Sequence, residues 1–410
     1  MEITLNNFFH RENIIRLGGN ILFSIMIFLI MFDPTNTILG LKDISFVLLV
    51  GYNIVFFKPD FSYIPHILMV YGVILTSYTF AEMQMNRLDF QMLFGAIKGF
   101  SPLFLLLWCR QYNVVKLMKW PTLIMCIFIS ILYIAVISNE AIELLVYQYV
   151  SEFGDMIMMT HRNFLGIDIF GMYYKSIISF VFALLIFYYN LFNERNNIFV
   201  NIICALIMLF VFLVSGTRAT MLLPFAMIAL VLYKRILKSK KVRYLLYPVL
   251  ALFVIALILI VVKLLTQEGE PSNAIKYAHL ISYAKLFDDN PLYMILGQGP
   301  GALFYSEGFN SMTAITEWTY LELFRCYGLL SLVILGVLVW PLKTLWKYRA
   351  NEQHFGIMCS YVLYLMIAGT NPLLISSTGM IVVIAIYSYA QILKDKSSDG
   401  VELSQVKIKL

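Results

Sequence analysis

Long apolar runs recur along the whole chain, and short polar stretches separate them. A helix needs about 20 mostly apolar residues to cross a bilayer, and this length divides the sequence into about twelve membrane-spanning helices. The predicted spans are residues 14–32, 40–57, 63–82, 90–109, 119–138, 170–190, 198–215, 217–233, 244–264, 316–340, 354–370 and 373–393. We therefore expect an all-α polytopic membrane protein in which residues 1–410 form one transmembrane domain.

Basic residues between the spans predict the orientation. They are Arg11, Arg16, Lys58, Arg110, Lys116, Lys119, Lys234, Arg235, Lys238, Lys240, Lys241, Arg243, Lys343, Lys347, Arg349, Lys394 and Lys396. With both termini in the cytoplasm, all of them fall on the cytoplasmic side, as the positive-inside rule expects. The two long polar segments, residues 139–169 and 265–315, then both face outward.

Composition narrows the function classes. The chain is 60% hydrophobic and only 13% charged, and its formal net charge is +6. Because the basic residues follow the topology, this charge does not indicate nucleic-acid binding, and we expect none. The five cysteines lie in or beside apolar segments without metal-ligand spacing, so they are interpreted as buried thiols. We predict neither a cofactor nor a metal site, and the adjacent Asp288 and Asp289 lack an Asp-x-Asp pattern.

The outward segment 265–315 is the stretch that most needs an explanation. Loops longer than about 12–15 residues are usually either functional or disordered. Aromatic and aliphatic residues are spread through this one, which favours a folded active-site loop. Its Gly297-Gln298-Gly299-Pro300-Gly301 run follows no βαβ unit, so we interpret it as a bend.

Arg218 is the first candidate site residue. It follows a short Ser215-Gly216-Thr217 turn at the outward end of a span, where the positive-inside rule disfavours a cation. A guanidinium at a helix N-terminus suits phosphate oxygens. The alternative is a side chain that anchors the helix at the lipid headgroups.

Five further basic residues could bind an anionic substrate on the same side. His161 and Arg162 precede the sixth span, and Lys276, His279 and Lys285 lie in the long loop. If the loop segment is helical, Lys276 and His279 share one face. Solvated loop residues and an amphipathic surface helix remain the alternatives.

Glu317 is the best-placed outward carboxylate for general-base chemistry, because it has no partner close in sequence. It is predicted to open the tenth span, where capping of the helix is the alternative role. Glu322 and Arg325 lie three residues apart and are expected to pair on one helix face. Tyr320 and Arg325 are also assigned to substrate binding.

The C-terminal half resembles the Wzy-type O-antigen polymerases, bacterial inner-membrane glycosyltransferases related to the O-antigen ligases. The resemblance rests on the order and spacing of four motifs. These are Ser215-Gly216-Thr217-Arg218-Ala219, Gly297-Gln298-Gly299-Pro300-Gly301, the run from Thr316 to Gly328, and the run from Asn371 to Met380. The first half matches only as a string of spans.

The resemblance implies a GT-C-like fold with one large periplasmic loop in the bacterial inner membrane. It implies transfer of a growing glycan from undecaprenyl diphosphate to the sugar end of another lipid-linked repeat unit, without a metal. The implied partners are this lipid-linked donor and acceptor, membrane lipids and, as an open question, a chain-length regulator protein. Arg218 matches the family's arginine, whereas Lys276 stands near a family arginine. Glu317-Trp318 replaces a His-Asn pair of the ligases, which favours a polymerase.

Three alternatives stay open at this point. An O-antigen ligase or a capsule or exopolysaccharide polymerase would be a related enzyme. A flippase or transporter of lipid-linked sugars would be a different class, for which mid-span charges, broken helices and repeat symmetry are expected.

Overall fold

The computed structural model describes residues 11–153, 157–164, 167–193, 197–236, 271–370 and 373–398, together with residues 248, 252, 255 and 408. The predicted ninth span, residues 244–264, therefore lies outside the described residues apart from three isolated positions. The helices of the first half are α1 Arg11–Phe32, α2 Leu41–Phe56, α3 Ile64–Met83, α4 Phe90–Phe100, α5 Val114–Leu117, α6 Lys119–Ser138, α7 Glu140–Phe153, α8 Val181–Asn193, α9 Ile198–Val214 and α10 Arg218–Ile236.

The second half adds six described helices and a short hairpin. The helices are α11 Pro271–Asp289, α12 Tyr293–Leu296, α13 Thr319–Tyr327, α14 Ser331–Lys347, α15 Glu352–Ala368 and α16 Ser377–Ser398. Strands β3 (Phe304–Ser306) and β4 (Ser311–Thr313) pair antiparallel within the long loop. The loop is thus folded, as the sequence indicated, with a long helix, a short helix and a hairpin.

A second antiparallel hairpin corrects the prediction for the sixth span. Strands β1 (Ile157–Phe164) and β2 (Ile167–Tyr174) pair over eight residues each, where the sequence analysis placed a loop followed by a helix from residue 170. Strand β2 is rich in branched and aromatic side chains, which favour a pleated strand. The protein is therefore mostly helical, but the segments predicted to face outward also contain two small sheets.

Six of the described helical stretches are long and apolar enough to cross a membrane. They are Glu12–Phe32, Phe61–Met83, Phe90–Trp108, Val114–Ser138, Thr319–Lys347 and Ser377–Ser397. Their outer faces are apolar: on α6 the exposed side chains include Ile124, Ile127, Ile131 and Ile134, which repeat at helical spacing. Large apolar faces that repeat around a bundle indicate contact with lipid. The protein is accordingly a helical membrane protein.

Helices α8 and α16 form the centre of the bundle. Residues 181–190 of α8 and residues 378–390 of α16 are buried throughout. Buried tyrosines of α15 and α16 donate hydrogen bonds to backbone carbonyls of α14: Tyr361 Oη donates to Leu338 O at 2.7 Å, and Tyr387 Oη donates to Val337 O at 2.6 Å. A buried hydroxyl with a partner avoids the cost of an unsatisfied polar group.

Contacts between loops mark the two ends of α3. At one end Arg110 binds Asp395 through two hydrogen bonds of 2.8 and 3.0 Å, and Asp60 lies 3.7 Å away. These residues belong to segments predicted to face the cytoplasm. At the other end the segment between α3 and α4 pairs with the long loop, where Leu303 N donates to Arg87 O at 2.9 Å. We call these the inner and the outer end.

Two predicted spans are interrupted. The helix from residue 90 ends at Phe100 and continues as a 3₁₀ helix, Ser101–Trp108, with Pro102 at its start. The tenth span breaks at Gly328, whose φ of 56° stops α13 before α14 begins. A side chain at Gly328 would collide with the backbone of Ile295, so the break also makes room for the long loop.

Candidate functional site

A buried ion pair at the start of the tenth span organises the long outer loop. Glu322 and Arg325 lie on one face of α13, and Arg325 Nε and Nη2 donate to Glu322 Oε2 at 2.9 and 2.7 Å. The Arg325 side chain is fully buried and that of Glu322 is 5% exposed. The predicted i, i+3 pair is confirmed.

The remaining N–H donors of Arg325 bind two other segments of the loop. Nη1 donates to Gln298 Oε1 at 2.6 Å and to Ala302 O at 2.9 Å, and Nη2 donates to Ala314 O at 2.6 Å. All five N–H groups of the guanidinium thus have acceptors. The assignment of Arg325 to substrate binding is corrected, because its charge is buried and fully used in holding the loop.

The carboxylate of Glu322 fixes the other side of the same loop. Its Oε1 accepts from Tyr283 Oη at 2.6 Å and from the backbone N–H of Thr316 at 3.0 Å. Burial, followed by the negative charge of Glu322, raises the pKa of Tyr283 well above its usual value. Helix α11, the bend and the segment before α13 therefore all meet at one ion pair.

The glycine run forms the predicted bend and packs closely against α13 and α3. Gly297, Gly299 and Gly301 all have positive φ. A side chain at Gly297 would lie 2.1 Å from Cys326 O, and one at Gly299 would lie 2.4 Å from the side chain of Ala81. Only glycine lets the loop approach α13 and α3 this closely.

The second ion pair of this region, between Lys276 and Glu317, is open. Lys276 Nζ lies 3.6 Å from Glu317 Oε2, and these side chains are 28% and 40% exposed. Trp318 Nε1 donates to Lys276 O at 3.2 Å, and the Lys276 ammonium lies 6.0 Å from the centre of the Trp318 ring. The structure thus brings together two residues that the sequence analysis assigned separately, one as base and one as cation.

Glu317 differs from the prediction in its local structure. Helix α13 begins at Thr319, and Trp318 takes the N-cap position without a side-chain cap bond. Glu317 is therefore neither in the first turn of the helix nor its cap, and the capping alternative is excluded. Its carboxylate is half-exposed at the outer end, where it remains accessible to a substrate.

His279 does not fit its predicted role as a direct substrate ligand. Its ring is fully buried, Nδ1 lies 2.9 Å from Ser306 Oγ, and the ring packs edge-on against Phe309 at 4.6 Å between centroids. It therefore joins α11 to the β3–β4 hairpin. Burial lowers the pKa of His279, and the nearby carboxylates of Glu317 and Glu322 oppose that shift.

Lys285 and Tyr320 also have structural roles. Lys285 Nζ donates to Glu307 Oε1 at 2.6 Å, and this exposed partner raises the pKa of the lysine. Tyr320 Oη donates to Leu365 O at 2.6 Å, and its ring packs so closely on Gly369 that a side chain there would collide with it. Tyr320 therefore fixes α13 to the end of α15.

Arg218 is the first residue of α10 and is half-buried. Gly216, with φ of 66°, packs against Gly171 of β2, since a side chain on either glycine would approach the other within 2.7 Å. The hairpin therefore lies directly against the turn that presents Arg218. His161, which pairs with Phe170 across the hairpin, is exposed beside this contact. Arg162 lies next to it on β1, opposite Ile169.

Three buried hydroxyls near the Arg218 turn were missed by the sequence analysis. Thr217 Oγ1, Thr220 Oγ1 and Tyr173 Oη are shielded from solvent and have no hydrogen-bond partner in the described part of the chain. Buried polar atoms are satisfied in the great majority of cases. Two of them, Thr217 and Thr220, lie on either side of Arg218 at the N-terminus of α10, and their unsatisfied hydroxyls indicate a site for a polar ligand or ordered water. The sequence signal for them was a pair of threonines that flank Arg218, one just before α10 and one in its first turn.

The Arg218 turn and Glu317 lie at the same end of the bundle. Helix α10 runs antiparallel to α15, because Lys234 near the end of α10 lies over the ring of Phe355 near the start of α15 at 5.3 Å. The start of α10 is therefore level with the end of α15. There Gly369 O accepts from the N–H of Thr319, two residues after Glu317, at 3.0 Å.

Together these features define a helical membrane protein. Its candidate site residues, Arg218 and Glu317, lie at the outer end of the bundle, where the long loop is folded. Comparison with known proteins adds no family. No protein-family model, no curated protein and no solved structure matches the chain.

Proposed function

We propose that this protein polymerises lipid-linked oligosaccharide repeat units at the periplasmic face of a bacterial inner membrane. In this reaction the growing glycan leaves undecaprenyl diphosphate and joins the sugar end of another lipid-linked unit. The observation that carries the proposal is the N-terminus of α10 at the outer end, where Arg218 lies between two threonines, Thr217 and Thr220, whose hydroxyls have no hydrogen-bond partner among the described residues. A GT-C-like arrangement of about twelve spans with both termini in the cytoplasm belongs to the same proposal.

Arg218 would bind the diphosphate of the donor. Negative charge develops on the leaving diphosphate as the glycosidic bond breaks, and a fixed guanidinium beside helix N–H groups stabilises that charge. The hydroxyls of Thr217, just before α10, and of Thr220, in its first turn, would supply further donors. Arg162, on the hairpin that packs against this turn, could add a second cation, and the neighbouring His161 could add a hydrogen bond.

Glu317 would act on the acceptor sugar. Its half-exposed carboxylate can accept a hydrogen bond from an acceptor hydroxyl and take its proton as the new bond forms. Lys276, 3.6 Å away, would help to orient this carboxylate. The acceptor oxygen then bonds to the donor's anomeric carbon while its proton passes to Glu317. The bond between that carbon and the diphosphate oxygen breaks, and its electron pair leaves with the diphosphate.

A flippase or transporter of lipid-linked sugars is the second candidate. The break of the tenth span at Gly328 favours it, because discontinuous helices are typical of transporters. Against it, the candidate residues lie at one end of the bundle and not at its middle. An O-antigen ligase and a capsule polymerase remain related alternatives.

A deletion strain separates these functions. If the protein is a polymerase, gel analysis of surface glycan should reveal cores that carry a single repeat unit. Cores without any repeat unit would indicate a ligase or a flippase and would overturn the proposal.

Substitution of Arg218 then tests the site in the complemented strain. Arg218→Ala should slow chain growth about 10²–10³-fold, the usual cost of removing one charge-stabilising donor. Arg218→Lys should fail as well, because lysine keeps the charge but loses the two-pronged donor geometry. Arg235→Ala, at the other end of the same helix, is the matched control and should leave the glycan unchanged. A near-normal chain-length distribution in Arg218→Ala would remove Arg218 from the site.

A further inference from the structure

Two adjoining pockets lie at the inner end, away from the candidate site, between α1 and the segment that leads into α6. The first is polar, with a volume of about 430 Å³, and the second is apolar, with a volume of about 420 Å³. Both fall in the range of roughly 300–1,000 Å³ that is usual for ligand pockets. They share Asn20, Ser24 and Trp120, so they form one continuous groove.

The polar pocket is positively charged. Arg16, Lys116 and Lys119 line it together with amide and hydroxyl groups, and no carboxylate is among its lining residues. Glu12, one helical turn before Arg16, is exposed and outside the lining. Arg16 and Lys116 lie in a pocket whose described lining residues include no carboxylate, and this positive charge favours an anionic ligand.

Lys119 is fixed at the edge of this pocket by aromatic rings. Its ammonium lies 5.3 Å from the ring centre of Trp120 and 4.8 Å from that of Phe187. Trp120 also lines the apolar pocket, so one residue pair joins the charged part of the groove to its apolar part.

The apolar pocket continues along the lipid-facing surface. Its walls include Ile21, Ile25, Phe28 and Ile124, and the three isoleucines are 47–53% exposed. A shallow apolar channel that opens to the bilayer suits a hydrocarbon chain. The groove thus combines a cationic head pocket with a tail channel.

We propose that this groove binds an anionic diacyl phospholipid of the inner leaflet, with its phosphate between Arg16, Lys116 and Lys119 and one acyl chain along Ile21 and Ile25. Basic pockets between helices on the cytoplasmic side are known to suit such headgroups. The charge of the head pocket and its continuity with the tail channel select this ligand over a soluble anion. The inference is independent of the reaction at the outer end.

The test uses the full-length protein in nanodiscs made from equal parts of phosphatidylglycerol and phosphatidylethanolamine. Native mass spectrometry counts the lipids that stay bound. Each basic residue near the membrane surface strengthens anionic-lipid binding about fivefold, so the Arg16→Gln/Lys116→Gln variant should retain phosphatidylglycerol about 25-fold more weakly. Lys343→Gln/Lys347→Gln is the control, because these lysines also lie at the inner end beside aromatic rings but line neither pocket.

A second variant tests the tail channel without changing charge. Ser24→Phe fills the junction of the two pockets and should also release the phospholipid. Equal loss in the Lys343/Lys347 control, undiminished binding in both groove variants, or retention of a polyprenyl phosphate in place of a phospholipid would each overturn the proposal. Because the readout is bound lipid and not glycan, failure here leaves the polymerase proposal untouched, and the reverse also holds.

Discussion

Two ion pairs lie within one short stretch of the outer end, and they differ in almost every physical respect. Glu322 and Arg325 are buried, meet at 2.7 Å and have further partners on three segments of the loop. Lys276 and Glu317 are partly exposed and meet at 3.6 Å. The buried pair holds the loop, whereas the open pair is the one that a substrate can reach.

The difference explains how one region can be both rigid and reactive. A buried carboxylate with a guanidinium and two other donors has no free lone pair to offer a substrate and would be costly to disturb. An exposed pair contributes only about 0–1 kcal/mol to stability, so it can open when a ligand arrives. We therefore expect substitutions at the open pair to change activity and substitutions at the buried pair to change folding.

The largest effect is expected for Glu317→Gln. General-base catalysis contributes about 10²–10⁴-fold, so chain growth should fall by that factor, while the melting temperature stays unchanged. Glycan length in vivo and thermal unfolding in detergent, at matched membrane levels, measure the two quantities. A loss of stability without a specific loss of activity would reverse the roles of the two pairs.

A charge reversal sharpens this result. Lys276→Glu/Glu317→Lys keeps an ion pair in the same place but moves the carboxylate to the other partner. If Glu317 is the base, the reversed protein should fold and remain inactive. Long glycans from the reversed protein would mean that the pair itself, and not the base, is what matters.

Breaking the buried pair should act on stability. Arg325→Ala leaves the Glu322 charge buried without its main partner, a loss of about 3–5 kcal/mol. We expect a lower melting temperature and faster protease cleavage within residues 271–318. The double variant Arg325→Met/Glu322→Gln should be more stable than Arg325→Ala. Its amide at position 322 is neutral, and the amide oxygen still accepts from Tyr283 and Thr316. Wild-type protease resistance in Arg325→Ala would contradict this role.

The two pairs also mark what could be predicted from the sequence. The spacing of Glu322 and Arg325 predicts their pairing, because residues three apart share a helix face. The partner of Glu317 could not be found in this way, since Lys276 comes from a distant segment and reaches it only through tertiary folding. Burial could not be predicted from the sequence either. Histidine is a common ligand residue, but the ring of His279 is enclosed by Ser306 and Phe309.

Secondary structure was predictable where membrane burial controls it. Apolar length located helices such as α1, α6 and α16 within a few residues. It failed at residues 170–174, the later part of β2, where apolar strand residues predict the start of a span, and at β1, which the sequence analysis assigns to a loop. The break at Gly328 was missed for a similar reason, because a single glycine in an apolar run has no distinct periodicity.

The smallest effect is expected from a change of pH. It tests the contact of His279 with the β3–β4 hairpin separately from the buried ion pair. Burial lowers the pKa of His279 below its usual value of about 6.5, so the opened loop binds a proton more readily than the folded loop. Stability of the β3–β4 hairpin should therefore be constant above this value and decrease as the pH falls through and below it. Lys276, Glu317 and Glu322 are the charged groups that act on the ring, and the two carboxylates limit the size of the effect. Hydrogen exchange of residues 304–313, corrected for the intrinsic rate, should accelerate from about pH 7.5 to about 5.5 in the wild type but not in His279→Phe, which cannot take up a proton. An identical pH dependence in both proteins would show that another group controls the hairpin.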